Sequence, residues 1–338
     1  MSARRPLLVP LVPLYAAALW LKRRFFAEAA RLLVHPVVSV GSLSAGGAGK
    51  TPVVEALAGL LGRAGFTVDI LSRGYGRVSG EAERVDPAGS ATSFGDEPLL
   101  LARRTGLPVY VGAERYAAGL LAEKEVAGSL RVVHLLDDGF QHRRLARQLD
   151  VVLLTLEDAE DFLLPAGNLR EQLSRLREAD VVVLRLEEET ALRPVLEKFA
   201  GAAKAAWVIG RRLEIPAGGP VRPLVFCGIA RAESFFTMLQ AEGIAAVETM
   251  AFGDHHDYAG RDIERLIEAA RRANADGFVT TEKDAVKITD EMRIRLETVG
   301  PMAVARLTVD FVDPEAVLAR MSDGSVWSEP LPQGLKPR

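Results

Sequence analysis

Apolar residues recur along this chain in two rhythms. Short runs rich in β-branched residues, at Val37-Val38-Ser39-Val40, Thr67 to Leu71, Val132 to Leu136, Val151 to Leu154 and Val181 to Leu184, read as strands. Between the first two, Val53, Val54, Ala56, Leu57, Leu60 and Leu61 repeat at helical spacing, and Gly65 marks the helix end. Strands alternating with helices predict a parallel sheet with helices on both faces. A second strand-loop-helix begins at Leu224-Val225-Phe226-Cys227, with one helix from near Glu233, another from about Gly260 to Ala273, and the stretch Gly277 to Asp284 beyond it. Residues 205–223 break the pattern: Trp207 to Ile209, Arg211-Arg212-Leu213 and Gly218-Gly219-Pro220 read as a β-ribbon or linker.

The amino terminus follows neither rhythm. Pro6 to Leu21 carries no charge, with Arg4 and Arg5 before it and Lys22, Arg23 and Arg24 after it. No small-residue cleavage site follows, as a signal peptide requires. The run is short for a spanning helix, and Pro10 and Pro13 interrupt it. Downstream, Phe25, Phe26 and Leu32 to Val34 extend the apolar character between arginines. Such a segment suits a helix lying in, or dipping into, an anionic membrane face; the alternative is a helix packed on the body of the protein.

Composition narrows the class. The 338 residues are 49% apolar and 26% charged, a globular balance with room for two domains. A net charge of -3 gives no reason to expect a nucleic-acid partner. The single cysteine, Cys227, sits in an apolar run and reads as a buried strand residue, and a chain with one cysteine has no internal disulfide.

Chemistry enters at Gly41-Ser42-Leu43-Ser44-Ala45-Gly46-Gly47-Ala48-Gly49-Lys50-Thr51-Pro52. The order strand, glycine loop, helix is that of a phosphate-binding loop, though Ser44 stands where G-x-x-x-x-G-K-[ST] begins with glycine. Gly46, Gly47 and Gly49 let the backbone turn its N–H groups toward an anion, and the helix N-terminus adds its dipole. Lys50 would reach the β- and γ-phosphates and Thr51 would offer its hydroxyl to magnesium. Ser44 is tolerable if its φ is negative. The loop variant of membrane-cycling partition ATPases carries a lysine at the position of Ala45, and its absence counts against that alternative, a membrane-recruited nucleotide switch.

A strand ending in carboxylates, Val132 to Leu136 followed by Asp137-Asp138-Gly139-Phe140-Gln141-His142, has the form that holds magnesium in such folds. Adjacent side chains on an extended chain point opposite ways, so one aspartate faces the metal and the other a neighbour or substrate. Gln141 and His142 then sit beside the phosphates. Asp96, in Gly95-Asp96-Glu97-Pro98, reads by itself as a helix cap. Arg115 suits a phosphate or a carboxylate partner. Asp254-His255-His256-Asp257 suggests a histidine that tunes a carboxylate across the domain cleft more than it suggests a complete metal site.

Together these pieces resemble the tetraacyldisaccharide 4′-kinases, the lipid A 4′-kinase family, from the apolar N-terminus to about residue 310. The specific motifs are Gly41 to Pro52, Ser72-Arg73-Gly74-Tyr75-Gly76-Arg77, Gly95 to Pro98, Asp137 to Arg144, Leu164 to Arg170, Asp254-His255-His256 and Thr281-Glu282-Lys283-Asp284. The resemblance implies a P-loop NTPase-like domain over 35–204, a smaller α/β domain over 224–325 closing the cleft, and a membrane-associated helix within 1–34. It implies transfer of phosphate from ATP, with Mg2+, to the 4′-hydroxyl of a lipid-linked glucosamine disaccharide at the cytoplasmic face of the bacterial inner membrane. No obligate protein partner is implied. By resemblance Asp96 is the general base and His255 its partner, Asp137 and Asp138 lie at metal and phosphates, and Lys50 and Thr51 carry over directly. Gln141, His142, Arg115 and Glu171 match positions near the nucleotide or reacting phosphate, and Tyr75 a substrate contact. Asn168 and Gln172 depart from positions where proline is common.

Overall fold

The computed structural model describes residues 5–25, 29–126, 128–129 and 131–322. Arg4, Phe26, residues 323–325 of the expected smaller domain and the tail from Pro330 lie outside them. A 3-10 turn (Pro6–Leu11) leads into helix α1 (Val12–Phe25). Pro13 falls in the first turn of α1, where its missing N–H removes no helical bond. Neither element buries a residue, and Leu7, Leu14, Trp20 and Phe25 are exposed. No described helix is long and apolar enough to cross a membrane.

The first half then runs β1 (Val37–Ser42), α2 (Lys50–Arg63), β2 (Thr67–Ser72), β3 (Glu83–Arg84), α3 (Ala91–Phe94), α4 (Asp96–Thr105), β4 (Val109–Val111), α5 (Arg115–Glu125), β5 (Val132–Asp137), β6 (Leu149–Leu153), α6 (Leu156–Glu160), β7 (Val181–Arg185) and α7 (Glu189–Ala200). Strand β8 (Ala205–Glu214) follows. The second half holds β9 (Pro223–Cys227), α8 (Ala232–Ala241), β10 (Glu248–Ala251), α9 (Gly260–Arg272), β11 (Gly277–Thr281), α10 (Glu282–Ala285), α11 (Asp290–Glu297), β12 (Met302–Phe311) and α12 (Pro314–Ser322).

Among the described residues the twelve strands form one sheet in the order β10-β9-β11-β12-β8-β7-β6-β1-β5-β2-β4-β3. Pairing is parallel except at β3 with β4 and at β8 with β12. β1, β5 and β7 are buried along their whole length, as central parallel strands covered on both faces must be. Alternation divides them: Val38, Val40 and Leu135 pack with Leu57 and Leu61 of α2, while Val37 and Leu136 pack with Ala118 and Ala122 of α5. Each such side chain contributes about 1.5–3 kcal/mol on burial.

The segment read as a ribbon or linker carries a full ten-residue strand. β8 lies parallel to β7 through Ala205–Ile209, then antiparallel to β12 through Ile209–Glu214. Trp207, Ile209 and Leu213 point inward, while Arg211 and Arg212 interrupt the apolar pattern. β12 in turn pairs with β11 through Met302–Ala305, so two shared strands join the halves. α12 returns to the first half and places Val317 and Met321 in its core. Cys227 is buried at the end of β9.

Candidate active site

The glycine loop leaves β1 where Gly41 lies against Phe140; a Cβ on Gly41 would come within 2.5 Å of the phenylalanine Cβ. Gly46, Gly47 and Gly49 take φ of +68°, +65° and +91°, a region glycine enters without steric cost. Ser44 is not among the positive-φ residues, so the substituted first glycine costs the loop nothing. Gly49 caps α2 without a side-chain hydrogen bond, which leaves the first-turn amides directed at the loop. Lys50 is buried at the helix start, its Nζ 3.3 Å from Ser42 Oγ and 3.4 Å from Asp138 Oδ1. Thr51 is buried beside it.

The aspartate pair divides as strand geometry requires. Asp137 closes β5; its Oδ2 accepts from Ser72 Oγ at 3.3 Å, and its buried Oδ1 has no partner. Burial, then repulsion from Glu97 and Asp138, pushes this carboxyl up to about 7. Asp138 turns aside through φ +51°. Arg170 grips it with two bonds of 2.9 and 3.1 Å and donates twice to the Ser44 carbonyl, at 2.9 and 3.1 Å. Burial opposes the Asp138 charge, but Lys50 and Arg170 outweigh it and hold the group well below the usual carboxylate range. One guanidinium therefore fixes both the glycine loop and the second aspartate.

Further braces come from backbone groups. Ala45 donates to the Asn168 carbonyl at 2.8 Å, a contact that the departure from proline leaves intact, and the Asn168 N–H gains Asp161 Oδ2 at 3.0 Å. Gln141 Nε2 donates to the Ser42 carbonyl at 2.7 Å, and Arg185 to that of Ala48 at 3.1 Å.

Several polar contacts span the cleft between the halves, among them those of Arg231 with Thr155, Glu157 and Asp158. Asp96, at the start of α4, meets His255 Nδ1 at 2.8 Å and Lys287 Nζ at 3.3 Å. Glu97 pairs with Lys283, and Arg104 with Glu282 at 2.9 Å. Burial raises Asp96, but the His255 hydrogen bond and the Lys287 and Lys283 charges overcome that and hold it far down. The same hydrogen bond, against burial, raises His255 above its ordinary value. Each partner thus favours the charged form of the other. His255 sits at φ +57°, a strained position of the kind that clusters at functional sites. Gly95 lets the Arg73–Gly76 loop approach: a Cβ there would lie 3.0 Å from the Tyr75 carbonyl. Tyr75 stands exposed at the mouth, its ring 5.4 Å from that of His255. His256 turns away to Asp262 and stacks on Phe252.

Two spaces adjoin the loop. A cavity of about 160 Å³ runs between Gly47–Pro52, Arg104, Arg211 and the apolar Ile209, Leu213, Phe235 and Leu307. A cleft of about 900 Å³ is lined by Arg5, Lys50, Arg73, Tyr75, Asp137, Asp138, Arg170, Arg231 and His255. Ser44, Asp96, Arg115, Gln141, His142 and Glu171 line neither. Arg115 is buried behind the aspartates, donates to its neighbour's carbonyl at Ala113, and is lowered to about 10 by burial and Arg73. His142 faces Glu114 at 3.8 Å and is pushed down to about 4 by burial and surrounding arginines. Glu171 pairs with Arg23 of α1. Glu97, Arg170, Arg231, Lys283 and Lys287 are site residues that sequence reasoning assigned no role. Their partners lie far away along the chain, so Glu97, Arg170 and Lys283 were marked only as members of family motifs, and Arg231 and Lys287 by no sequence signal.

Residues 4–324 match the family model for tetraacyldisaccharide-1-P 4′-kinase. A tetraacyldisaccharide 4′-kinase of Koribacter versatilis is 40% identical over 91% of this chain and 96% of its own, and one of Neisseria gonorrhoeae 38% identical over 84% and 83%. LpxK of Aquifex aeolicus, solved in complex with ATP, superposes with a TM-score of 0.67 at 30% identity, covering 94% of this chain and 99% of that one. The chain belongs to the tetraacyldisaccharide 4′-kinase family.

Proposed function

We propose that this chain transfers the γ-phosphoryl group of ATP to the 4′-hydroxyl of a tetraacylated glucosamine disaccharide 1-phosphate. The observation that carries the site assignment is the Asp96–His255 contact of 2.8 Å, made between the two halves. The triphosphate lies along the amides from Ser44 to Thr51, with Lys50 on the transferring group. The narrow cavity, apolar on its β8 and β12 side, takes the nucleoside. The wide cleft takes the disaccharide, whose phosphate and hydroxyls meet Arg73, Tyr75 and Arg231.

Asp96 accepts the hydroxyl proton late in the transfer. Its low basicity suits a loose phosphoryl transition state, in which positioning and charge neutralisation supply most of the acceleration. The His255 charge and Lys287 hold the carboxylate ionised and aimed. The unpartnered, buried Asp137 Oδ1 beside two other carboxylates fits a cation. Mg2+ would be held by Asp137 with Thr51 and Asp138, and when bound neutralises charge on the phosphates. Arg115 acts from behind, adding positive field at the aspartates, and Gln141 and Glu171 act on the loop and α1 rather than on substrate.

Helix α1 lies on the cytoplasmic face of the inner membrane. Its apolar side chains are uncovered, its last turn holds Lys22, Arg23 and Arg24, and Tyr15 and Arg23 dock it on Arg170 and Glu171. Arg5 lines the cleft itself, so the helix brings a lipid-embedded acceptor to the site. The test is incubation with radiolabelled ATP, magnesium and a lipid A disaccharide monophosphate, followed by thin-layer separation. No labelled lipid from the folded protein overturns the reading.

A further inference from the structure

Behind the sheet, away from the cleft, three side chains from separate elements converge. His134 lies on β5, Glu123 on α5, and His35 in the segment before β1. His134 is fully buried, and its Nε2 has no hydrogen-bond partner; neither has the buried Nδ1 of His35. The three ligand atoms lie within 4.8 Å of one another. Glu123 Oε1 is 3.6 Å from His35 Nδ1 and 3.8 Å from His134 Nε2. Both separations are too long for hydrogen bonds. They are close to the edge of a tetrahedron around zinc, about 3.3–3.4 Å for bonds of about 2.0–2.1 Å. Elsewhere the groups are oriented. Asp69 of β2 holds His134 Nδ1 at 2.8 and 2.9 Å, the carboxylate–histidine arrangement that fixes a metal-binding tautomer. Glu123 Oε1 also accepts the backbone N–H groups of Val34 and His35, the latter at 3.0 Å.

We propose that His35 Nδ1, His134 Nε2 and the Glu123 carboxylate form a divalent transition-metal site of the zinc type, with solvent in the fourth position. The donor set, two imidazoles and a carboxylate, is one that suits zinc. The metal ties the segment between α1 and β1 to α5 and to the strand that carries Asp137. Partly exposed His35 forms the entrance. The competing occupant is a proton, which would make His134 an imidazolium between Asp69 and Glu123.

Untagged full-length protein, prepared without nickel affinity, is dialysed against micromolar zinc and its metal content measured. One equivalent per chain is expected, with a higher thermal midpoint, because the metal binds only the folded chain. His35→Asn, at a partly exposed position and with folding checked by thermal melt, loses that equivalent. Asp69→Asn weakens binding about 10–100-fold. Cobalt in place of zinc gives tetrahedral ligand-field absorption that His35→Asn abolishes. Wild-type zinc content equal to that of His35→Asn, or cobalt spectra unchanged by that substitution, overturns the proposal and leaves the proton-held triad.

Discussion

Replacing Asp96 with asparagine keeps the side-chain volume and removes one charge at the junction of the two halves. His255 and Lys287 both lose a carboxylate partner, at 2.8 and 3.3 Å. A hydrogen bond to a charged group is worth about 1.5–3 kcal/mol, so closure weakens by about that amount per contact. The Glu97–Lys283 and Arg104–Glu282 pairs still span the cleft, and the fold persists. Catalysis suffers more. A positioned base contributes about 10²–10⁴-fold, or about 2.7–5.4 kcal/mol at 1.36 kcal/mol per decade. The expected result is therefore a kcat about 10²–10⁴ below wild type with ATP binding unchanged, because Asp96 does not touch the glycine loop. Initial rates are measured at saturating ATP and lipid disaccharide, with ATP affinity by titration and folding by thermal melt. A variant that melts normally and keeps kcat within tenfold of wild type refutes the base assignment.

Four further outcomes follow from the same contacts. Lys50→Ala removes the buried cation at the end of the glycine loop and lowers kcat about 10²–10³-fold, the cost of one oriented donor at a transition state; a loss under tenfold in the same assay contradicts its role. The Asp96–His255 contact titrates at both ends: with His255 raised and Asp96 depressed, its stabilisation is full between about pH 4 and pH 6.5. It fades as pH rises through the raised His255 value or falls through the lowered Asp96 value, so the thermal midpoint of wild type should drop above neutrality more than that of His255→Asn. Arg104→Leu strands Glu282 and breaks one of two bonds to Glu55, which keeps Arg306, and should cost about 3–5 kcal/mol of stability in denaturant melts. Leu7, Leu14 and Trp20, changed together to asparagine, should lower cosedimentation with anionic vesicles about a hundredfold or more, since each buried apolar side chain is worth about 1.5–3 kcal/mol; unchanged sedimentation rules out α1 as the membrane contact.

Much of the core was legible because period alone marks it. The run Val132 to Leu136 and the helical repeat from Val53 to Leu61 lie in β5 and α2, whose boundaries fall within a few residues of the expected ones. Gly65, at φ +84°, follows α2 as a stop residue should. β8 was less legible, because Arg211 and Arg212 stand in a strand that is half at the sheet surface, where charge is tolerated. The placement of Asp96 against His255 was available only through family resemblance, since 159 residues separate them. Lys283 and Glu97, 186 residues apart, show the same limit. Periodicity records which face a residue takes in its own element, and it carries no information on which distant element covers that face.

The antiparallel ladder of β8 and β12 runs through six residue pairs, Ile209 with Phe311 to Glu214 with Arg306. It makes the junction a flexure instead of a pin. Parting the halves widely would tear this ladder, so substrate admission has to be accommodated by torsion spread along both strands. Displacement then grows with distance from the ladder, and the His255 loop, far out on the second half, swings most for the least distortion of the glycine loop.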